Sequence, residues 1–300
     1  MRILVLGYTG YLGAHVAGRL RALPGTQVLG GGRSPAADLE VDLACVRPEQ
    51  LAKALTSAAP DVVVNCAGAT GGDAVTLAEV NARGTAVLCA ALREAAPAAR
   101  LVHLGSAAEY GPGAPGAPVT ESAATRPVGP YGATKLAGTI AVTASGLDAV
   151  VLRVGNPVGP GAPATGLPGR IAGLLREAGR APEAVLRLGD LSAYRDFVDV
   201  RDVARAAVLA ATAPDPLPPV LNIGAGRAVP VRDLVRGLAD LAGFRGRIEE
   251  ATAGSAGSAR SAQVSWQCSD ITAAEQALGW LPLHSLDDAL ATLWEGGRTP

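Results

Sequence analysis

The chain has 300 residues, of which 49% are hydrophobic and 3% aromatic, and its 26 basic and 27 acidic residues give a formal net charge of −1. Such a length can bury a large core in one or two domains. The balanced charge offers no positive field to a nucleic-acid backbone, and no run of about 18 apolar residues predicts a membrane helix. The chain starts like a strand rather than a secretory signal, and its four cysteines lack metal-site or disulfide spacing. We therefore expect a cytoplasmic globular protein with no metal site and no nucleic-acid or membrane partner.

The first half of the chain alternates short apolar segments with helical ones. The predicted strands cover residues 2–6, 27–30, 61–65, 100–104 and 149–154, and the predicted helices cover residues 12–23, 51–58, 74–95 and 130–143. Strands that are apolar throughout and alternate with helices indicate a parallel sheet covered on both faces. The predicted fold class is therefore α/β, with a doubly wound sheet of the Rossmann type. A Gly- and Pro-rich stretch after residue 155 indicates the start of a second, smaller lobe.

A glycine-rich turn separates the first predicted strand from the first helix. Gly7, Gly10 and Gly13 form the pattern G-x-x-G-x-x-G. Glycine allows a tight turn, a close approach of the backbone to a pyrophosphate, and close packing of the helix on the strand. The position between a strand and a helix predicts dinucleotide binding. The predicted contacts in this turn are Gly7, Thr9, Gly10, Tyr11, Leu12 and Gly13.

The residues after the second strand indicate which dinucleotide is bound. An NAD-binding fold usually ends this strand with an acid that binds the ribose diol, whereas here the strand runs into Arg33 and Ser34. A guanidinium and a hydroxyl could receive a 2′-phosphate, which favours NADP, with NAD as the alternative. Asp42 follows the third strand and could either contact the adenine or cap a turn.

A Tyr-x-x-x-Lys pair opens the helix that begins at Pro130. Tyr131 and Lys135 are four residues apart and share one helix face, and Lys135 is one of only two lysines in the chain. An ammonium beside a phenol favours the phenolate, so the tyrosine can act as an acid or base near neutral pH. Ser106 follows the strand at 100–104, at the sheet edge where open α/β sheets bind ligands. With Tyr131 it would supply a second hydrogen bond to a carbonyl oxygen.

These motifs resemble the extended short-chain dehydrogenase/reductase family, and the resemblance extends over essentially the whole chain. The segment that begins at Asn81 is similar to the family's N-x-x-G-T helix, and residues 106–111 are similar to its S-x-x-x-Y-G turn. The segment from Arg153 through Asn156 is similar to the step R-x-x-N-x-x-G-P-G, where the chain enters the substrate lobe. The run around Arg195 is typical of the members that act on nucleotide sugars.

The resemblance implies the organisation of the site. It implies an NAD(P)-binding Rossmann domain at residues 1–155, with contributions from about 190–222, and a substrate-binding lobe at 156–300. Arg195 and Arg260 suit the diphosphate of a nucleotide sugar, because a guanidinium fork matches its oxygens. Further cofactor contacts are implied for Asp42, Leu43, Ala67, Gly68, Asn81, Tyr131 and Lys135, and substrate contacts for Ala107, Asn156, Arg195 and Arg260.

Departures from the family's pattern narrow the activity. In the 4,6-dehydratases of this family the catalytic Ser or Thr is followed by Asp and Glu, where this chain has Ala107 and Ala108. Glu109 is one residue late, and on an extended segment it would point to the other side. This argues against a dehydratase. It leaves an NADPH-dependent 4-ketoreductase, an NAD-dependent 4-epimerase and, less favoured, a non-catalytic NAD(P)-sensing protein.

The residues around Arg33 and Arg195 resemble those of the GDP-4-keto-6-deoxymannose reductase branch, which favours the reductase. The implied catalytic residues are Ser106, Tyr131 and Lys135. The resemblance also implies a homodimer, formed by the helices at 81–92 and 131–143 as a four-helix bundle. Small residues on the second helix would allow close approach: Gly132, Ala133, Ala137, Gly138 and Ala141.

Overall fold

The computed structural model describes residues 1–251 and 264–296. The strands are β1 Arg2–Leu6, β2 Gln27–Gly32, β3 Leu39–Glu40, β4 Val62–Asn65, β5 Arg100–Ser106, β6 Ala149–Val154, β7 Asn156–Val158, β8 Val185–Leu188, β9 Tyr194–Arg195, β10 Phe197–Asp199, β11 Val220–Ile223, β12 Val229–Pro230 and β13 Arg247–Glu250. The helices are α1 Tyr11–Arg21, α2 Pro48–Ala58, α3 Ala74–Leu77, α4 Gly84–Ala95, α5 Pro130–Thr143, α6 Leu167–Ala178, α7 Val200–Thr212, α8 Val231–Ala242, α9 Thr272–Leu278 and α10 Leu286–Gly296.

The central sheet has seven parallel strands in the order β11-β6-β5-β4-β1-β2-β3. This confirms the predicted doubly wound α/β fold. The chain runs outward in one direction from β1 to β3 and in the other direction from β4 to β11, so the order reverses between β1 and β4. Open α/β sheets bind ligands at such a reversal, at the carboxyl ends of the strands.

Alternating residues of each strand build the two faces of the sheet. In β1, Ile3 and Val5 belong to the apolar cluster that contains α1 and α7, and Leu4 and Leu6 belong to the cluster that contains α2 and α4. Because both faces are covered, β1, β4 and β6 are apolar at nearly every position. Burial of one such side chain contributes roughly 1.5–3 kcal/mol. The apolar strands therefore hold the strand ends in fixed positions.

The predicted helix at 74–95 is not regular. A π-helical segment, Ala78–Arg83, lies between α3 and α4 and carries Asn81. Two contacts fix the position of this segment. Gly84 packs against Leu43, since a Cβ on Gly84 would lie 2.9 Å from the Leu43 carbonyl oxygen. The Thr85 hydroxyl donates to Asn81 O at 2.8 Å. Single π-turns of this kind occur often at functional sites. Ala74–Ala95 is long and apolar enough to span a membrane by length and composition, but half of its most apolar window is buried, as in core helices.

Helix α5 has the predicted bounds, but two of its glycines face their own chain rather than a partner. A Cβ on Gly132 would lie 2.5 Å from Ala108 O, and a Cβ on Gly138 would lie 2.5 Å from Asn81 O. Both glycines are therefore needed for packing within the protomer, and the expectation that they serve a dimer contact is wrong. Ala133 and Ala137 are exposed, so the predicted dimer rests on these two and their neighbours.

A third apolar cluster lies in the C-terminal half of the chain. It is built around α6, α8 and α10, and includes Val158, Phe197 and Trp294. The last part of the chain also returns to the large sheet. Trp280 is fully buried in the cluster of α1 and α7, and its indole donates to Asp202 O at 3.0 Å.

Candidate active site

The glycine-rich turn after β1 packs so closely on neighbouring backbone that a side chain does not fit at Gly7 or Gly13. Gly7 has φ +73°, and a Cβ there would lie 2.8 Å from the backbone of Ala67. A Cβ on Gly13 would lie only 2.0 Å from Gly7 O. Gly10 precedes α1, and neither a side-chain cap nor an acidic residue is present in the first turn. The N–H groups of Tyr11, Leu12 and their neighbours therefore remain available to an anion, so this cradle fits the pyrophosphate of a dinucleotide.

The end of β2 presents a basic residue beside this cradle. Arg33 is exposed directly after β2, and within residues 1–251 and 264–296 it makes no hydrogen bond or ion pair. The nearby carboxylate of Asp38 accepts from Gly30 N at 2.7 Å, so it is bound to the strand itself. Asp42 Oδ1 accepts from Ala44 N at 3.0 Å, which is the turn-capping arrangement, and Leu43 is buried beside it. Thr9 is exposed in the turn after β1.

A short 3-10 turn, Ala107–Glu109, follows Ser106 at the end of β5. Ser106 Oγ accepts from Ala108 N at 3.2 Å, and Glu109 Oε1 accepts from Ser106 N at 2.7 Å. The expectation of an extended segment here is therefore wrong, because this reciprocal pair of bonds forms a capping box that bends the chain. Ser106 and Ala107 are 8% and 2% exposed. Glu109 is fully buried behind Ser106 and is no substitute for the missing dehydratase acids.

Helix α5 is attached to the same end of β5. Lys135 Nζ donates to Leu104 O at 2.5 Å, and Gly132 packs on the Ala108 carbonyl, as described above. These two contacts place the first turn of α5, which carries the half-buried Tyr131, beside the Ser106 turn. Burial lowers the pKa of Lys135, while the nearby carboxylate of Glu109 acts in the opposite direction.

The carboxyl end of β4 completes this corner. A Cβ on Gly68 would lie 3.3 Å from Asn81 Oδ1 and 3.8 Å from Lys135 Nζ. Asn81 binds the backbone of Ala69 on both sides, accepting from its N and donating to its O at 2.9 Å each, and it donates to Thr134 Oγ1 at 3.2 Å. Gly68, Asn81 and Lys135 therefore lie together, close to the cradle of Gly7.

Of the residues expected to bind substrate, Ala107 lies in the turn after β5, and Asn156 and Arg195 lie on the small sheets beyond β6. Asn156 Nδ2 donates to Asp196 O at 3.1 Å and to Gln267 Oε1 at 3.0 Å. Arg195 is buried and donates to Tyr194 O at 2.8 Å, and burial lowers its pKa. Arg260 lies outside the described residues. Sequence reasoning missed Gln267, which has no motif to mark it, and missed the capping role of Glu109, which the spacing Ser106-x-x-Glu109 could have indicated.

The buried histidine of β5 does not form a catalytic triad. His103 Nδ1 and Asn65 Nδ2 are 3.1 Å apart. Burial, together with the nearby Lys135 charge, holds the pKa of His103 well below its usual value, so its ring is neutral. Within residues 1–251 and 264–296, no group of three or more His, Cys, Asp or Glu side chains could hold a metal ion.

The glycine turn, the doubly wound sheet and the packing of α5 beside the Ser106 turn are typical of a dinucleotide-binding α/β enzyme. Residues 3–224 match the NAD dependent epimerase/dehydratase family, and the chain belongs to it. It is 38% identical over 310 aligned positions to dTDP-6-deoxy-L-talose 4-dehydrogenase (NAD(P)(+)) of Kitasatospora kifunensis, covering 99% of this chain and 96% of that protein. It is 29% identical to GDP-6-deoxy-D-mannose reductase of Pseudomonas aeruginosa, over 80% of each chain.

Solved structures agree with this assignment. MoeE5 in complex with UDP-glucuronic acid and NAD superposes with a TM-score of 0.85 at 29% identity, and RMD from Pseudomonas aeruginosa complexed with NADPH superposes with 0.83 at 25% identity. Each comparison covers 99% of both chains. The family expected from the sequence is therefore confirmed, and the protein is an NAD(P)-dependent enzyme of the sugar-nucleotide oxidoreductase and epimerase type.

Proposed function

We propose that this protein is a cytoplasmic NADPH-dependent 4-ketoreductase, which reduces the C4 carbonyl of a nucleotide-activated deoxysugar. The observation that carries the proposal is the double attachment of α5 to β5. Lys135 is bonded to Leu104 O and Gly132 is packed on Ala108 O, so Tyr131 and Ser106 lie at one strand end. The similarity to dTDP-6-deoxy-L-talose 4-dehydrogenase supports the proposal, because a 4-dehydrogenase catalyses the same conversion in the opposite direction.

The reacting oxygen of the substrate would bind between two hydroxyl groups. Ser106 Oγ already accepts from Ala108 N, so its own proton is available to polarise the C4 oxygen. When bound, the cofactor supplies a hydride to C4. Tyr131 donates its proton to the oxygen, and the C=O bond becomes C–H and O–H. Lys135 stabilises the phenolate that Tyr131 leaves behind until it regains a proton from solvent.

The binding roles follow the positions of the remaining residues. The cradle of Gly7, Gly10 and Gly13 would hold the pyrophosphate, and Gly68, Asn81 and Lys135 would hold the nicotinamide ribose. Arg33 would bind the 2′-phosphate, and Asp42 and Leu43 would flank the adenine. Arg195 and Arg260 would bind the diphosphate of the sugar nucleotide, and Ala107 and Asn156 would contact the substrate.

An NAD-dependent 4-epimerase is the second candidate function. The same three side chains can remove a hydride and return it to the opposite face of the sugar, provided that the cofactor stays bound. The complex of MoeE5 with NAD favours this alternative, because it shows that a protein of very similar fold binds NAD. The two functions differ in whether the cofactor is consumed.

Oxidation of NADPH separates the two functions. We would follow absorbance at 340 nm with dTDP-, GDP- and UDP-linked 4-keto-6-deoxyhexoses, using NADPH and NADH in parallel. A ketoreductase consumes one NADPH per sugar reduced, and Tyr131→Phe abolishes the signal while the protein remains folded and binds NADPH. NAD recovered from the denatured protein, together with interconversion of 4-epimers and no net oxidation, would instead establish the epimerase. No reaction by the wild type with any of these sugars would refute both.

A further inference from the structure

A buried carboxylate, that of Glu109, lies against the backbone of Ser106. Glu109 is 0% exposed, and both of its oxygens are bonded within the protein. Oε1 accepts from Ser106 N at 2.7 Å. Oε2 accepts from Thr139 Oγ1 at 2.8 Å and from Arg153 Nε at 2.7 Å. Glu109 therefore cannot reach a substrate, and it cannot serve as an acid in the reaction.

These bonds join the three elements whose positions determine the site. Ser106 ends β5, Thr139 lies one helical turn after Lys135 on α5, and Arg153 lies on β6. A Cβ on Gly105 would lie 2.8 Å from Glu109 Oε1, so the carboxylate packs against the backbone of β5 at a position where a larger residue would collide with it. A displacement of Glu109 would therefore move Ser106 and the helix of Tyr131 together.

The Glu109 carboxylate also carries a negative charge close to two buried basic residues, Lys135 and Arg153. Lys135 is 5% exposed and Arg153 is 5% exposed, and Glu109 favours the charged form of both. The Arg153 guanidinium lies 4.5 Å from the centre of the Tyr110 ring. Besides Glu109 and Tyr131, two further described residues interact electrostatically with Lys135, namely His103 of β5 and the Cys66 thiol, and neither carries a charge at neutral pH.

We propose that Glu109, fixed by Arg153, is a positioning residue of the reaction, which aligns Ser106 with Tyr131 and sets the upper pH limit for proton donation by Tyr131. The inference rests on the proposed chemistry of Ser106, Tyr131 and Lys135. The negative charge of Glu109 offsets the positive charge of Lys135, so it lets Tyr131 keep its proton to a higher pH than it could beside Lys135 and Arg153 alone.

A purely structural brace would have a different signature. A brace would affect the folded state and the rate, but it would leave the shape of the pH profile unchanged. A unit charge on the order of 10 Å away, with an effective dielectric constant of about 20, shifts a proton equilibrium by about one pH unit. Removal of the charge makes the surroundings of Tyr131 more positive, so the high-pH fall in the reduction rate should begin at lower pH.

The chain offers variants that separate charge from contact. Glu109→Gln keeps the size of the side chain and an acceptor for Ser106 N, but removes the charge. Thr139→Val removes one hydrogen bond to Glu109 and leaves the charge of Glu109 in place. Thr139→Ser is the conservative variant, because it keeps the hydroxyl that makes this bond. Asp148→Asn is the matched control, because Asp148 forms an ion pair of 2.8 Å with Arg100 at the opposite end of β5 and β6.

The test measures kcat for reduction of the 4-keto sugar nucleotide between pH 6 and 10. We expect Glu109→Gln to lower kcat at least tenfold and to move the high-pH limb down by about one unit. Thr139→Val should lower kcat without moving the high-pH limb, and Thr139→Ser should have a kcat near that of the wild type. Asp148→Asn should change neither kcat nor the position of the limb. A Glu109→Gln enzyme with an unshifted limb would overturn the inference while leaving the proposed function intact.

Amide hydrogen exchange provides a readout that does not depend on activity or on the identity of the substrate. In the wild type, the Ser106 amide is bonded to Glu109. Thr139→Val and Glu109→Gln should accelerate exchange over residues 104–110 by at least tenfold, with no change at the Asp148 end of β5. Unchanged exchange in both variants would overturn the positioning role, even if the wild-type enzyme proves to catalyse a different reaction.

Discussion

The contact between α5 and the Ser106 turn can be tested by adding one carbon atom. A Cβ on Gly132 would lie 2.5 Å from Ala108 O and 3.0 Å from Pro127 Cβ, whereas ordinary contacts begin at 3.4 Å. The Gly132→Ala variant must therefore separate the helix from the turn by about 0.9 Å. Overpacking of this kind costs about 1–3 kcal/mol of stability. A misplacement of about 1 Å between reacting groups can reduce the rate about 100-fold.

The assay is kcat in the ketoreductase reaction, measured beside the thermal denaturation midpoint and the NADPH dissociation constant. We expect a fall in kcat of about 100-fold with a much smaller change in NADPH affinity, because Gly7, Gly10 and Gly13 lie between β1 and α1 and do not move with α5. Gly129→Ala is the control, since Gly129 has no atom within 4 Å of the added carbon and an ordinary extended φ of −151°. Wild-type kcat in Gly132→Ala would show that this contact does not align Tyr131 with Ser106.

Four further outcomes are expected. Arg33→Ala should weaken NADPH binding about 10- to 150-fold and leave NADH binding unchanged, since a charge-assisted bond contributes about 1.5–3 kcal/mol; calorimetric titration checks this. Tyr131→Phe should lower kcat by about 10²–10⁴-fold, and Ser106→Ala should lower it less, because only a polarising bond is lost. Ile140, 56% exposed on the face of α5 expected to meet a partner, should give a monomer by light scattering when changed to Arg. Burial raises the pKa of Asp196 to about 6, so the folded state holds this proton more tightly than the unfolded state. The free energy of unfolding of the wild type should therefore decrease as the pH rises from about 4 to about 6, and urea denaturation of Asp196→Asn should lack this decrease.

The parts of the site that depend on local backbone chemistry could be predicted from the sequence. The spacing of Gly7, Gly10 and Gly13 corresponds directly to three close approaches of the backbone, and each is seen in the structure. Pro130 fixes the start of α5 because it suits the first turn of a helix, and the predicted bounds of that helix agree with the observed ones. The spacing of Tyr131 and Lys135 gave their common face, although not the bond from Lys135 to Leu104 O.

The parts that depend on distant partners could not be predicted. Glu109 is bonded to Thr139 and Arg153, which are 30 and 44 residues away in the chain. No local sequence pattern specifies such partners. The position of Glu109 three residues after Ser106 therefore led only to the prediction of an extended segment, which is wrong. Gln267 reaches Asn156 across 111 residues for the same reason. Gly132 and Gly138 of α5 were recognised as small residues, but the sequence does not show which neighbour each of them packs against. In the structure these neighbours are Ala108 and Asn81 of the same chain.

The structure separates the proposed chemistry from the proposed substrate recognition. Ser106 and Lys135 are held by bonds among β5, the turn that follows it, α5 and β6, and Tyr131 lies on the first turn of α5. Asn156 and Arg195 instead lie on short two-stranded sheets, and Gln267 lies on the segment that crosses between them. Substitutions in the first group should therefore lower kcat for every sugar nucleotide alike. Substitutions in the second group should change KM and the choice among sugar nucleotides, because they alter binding that is equal in the ground state and the transition state.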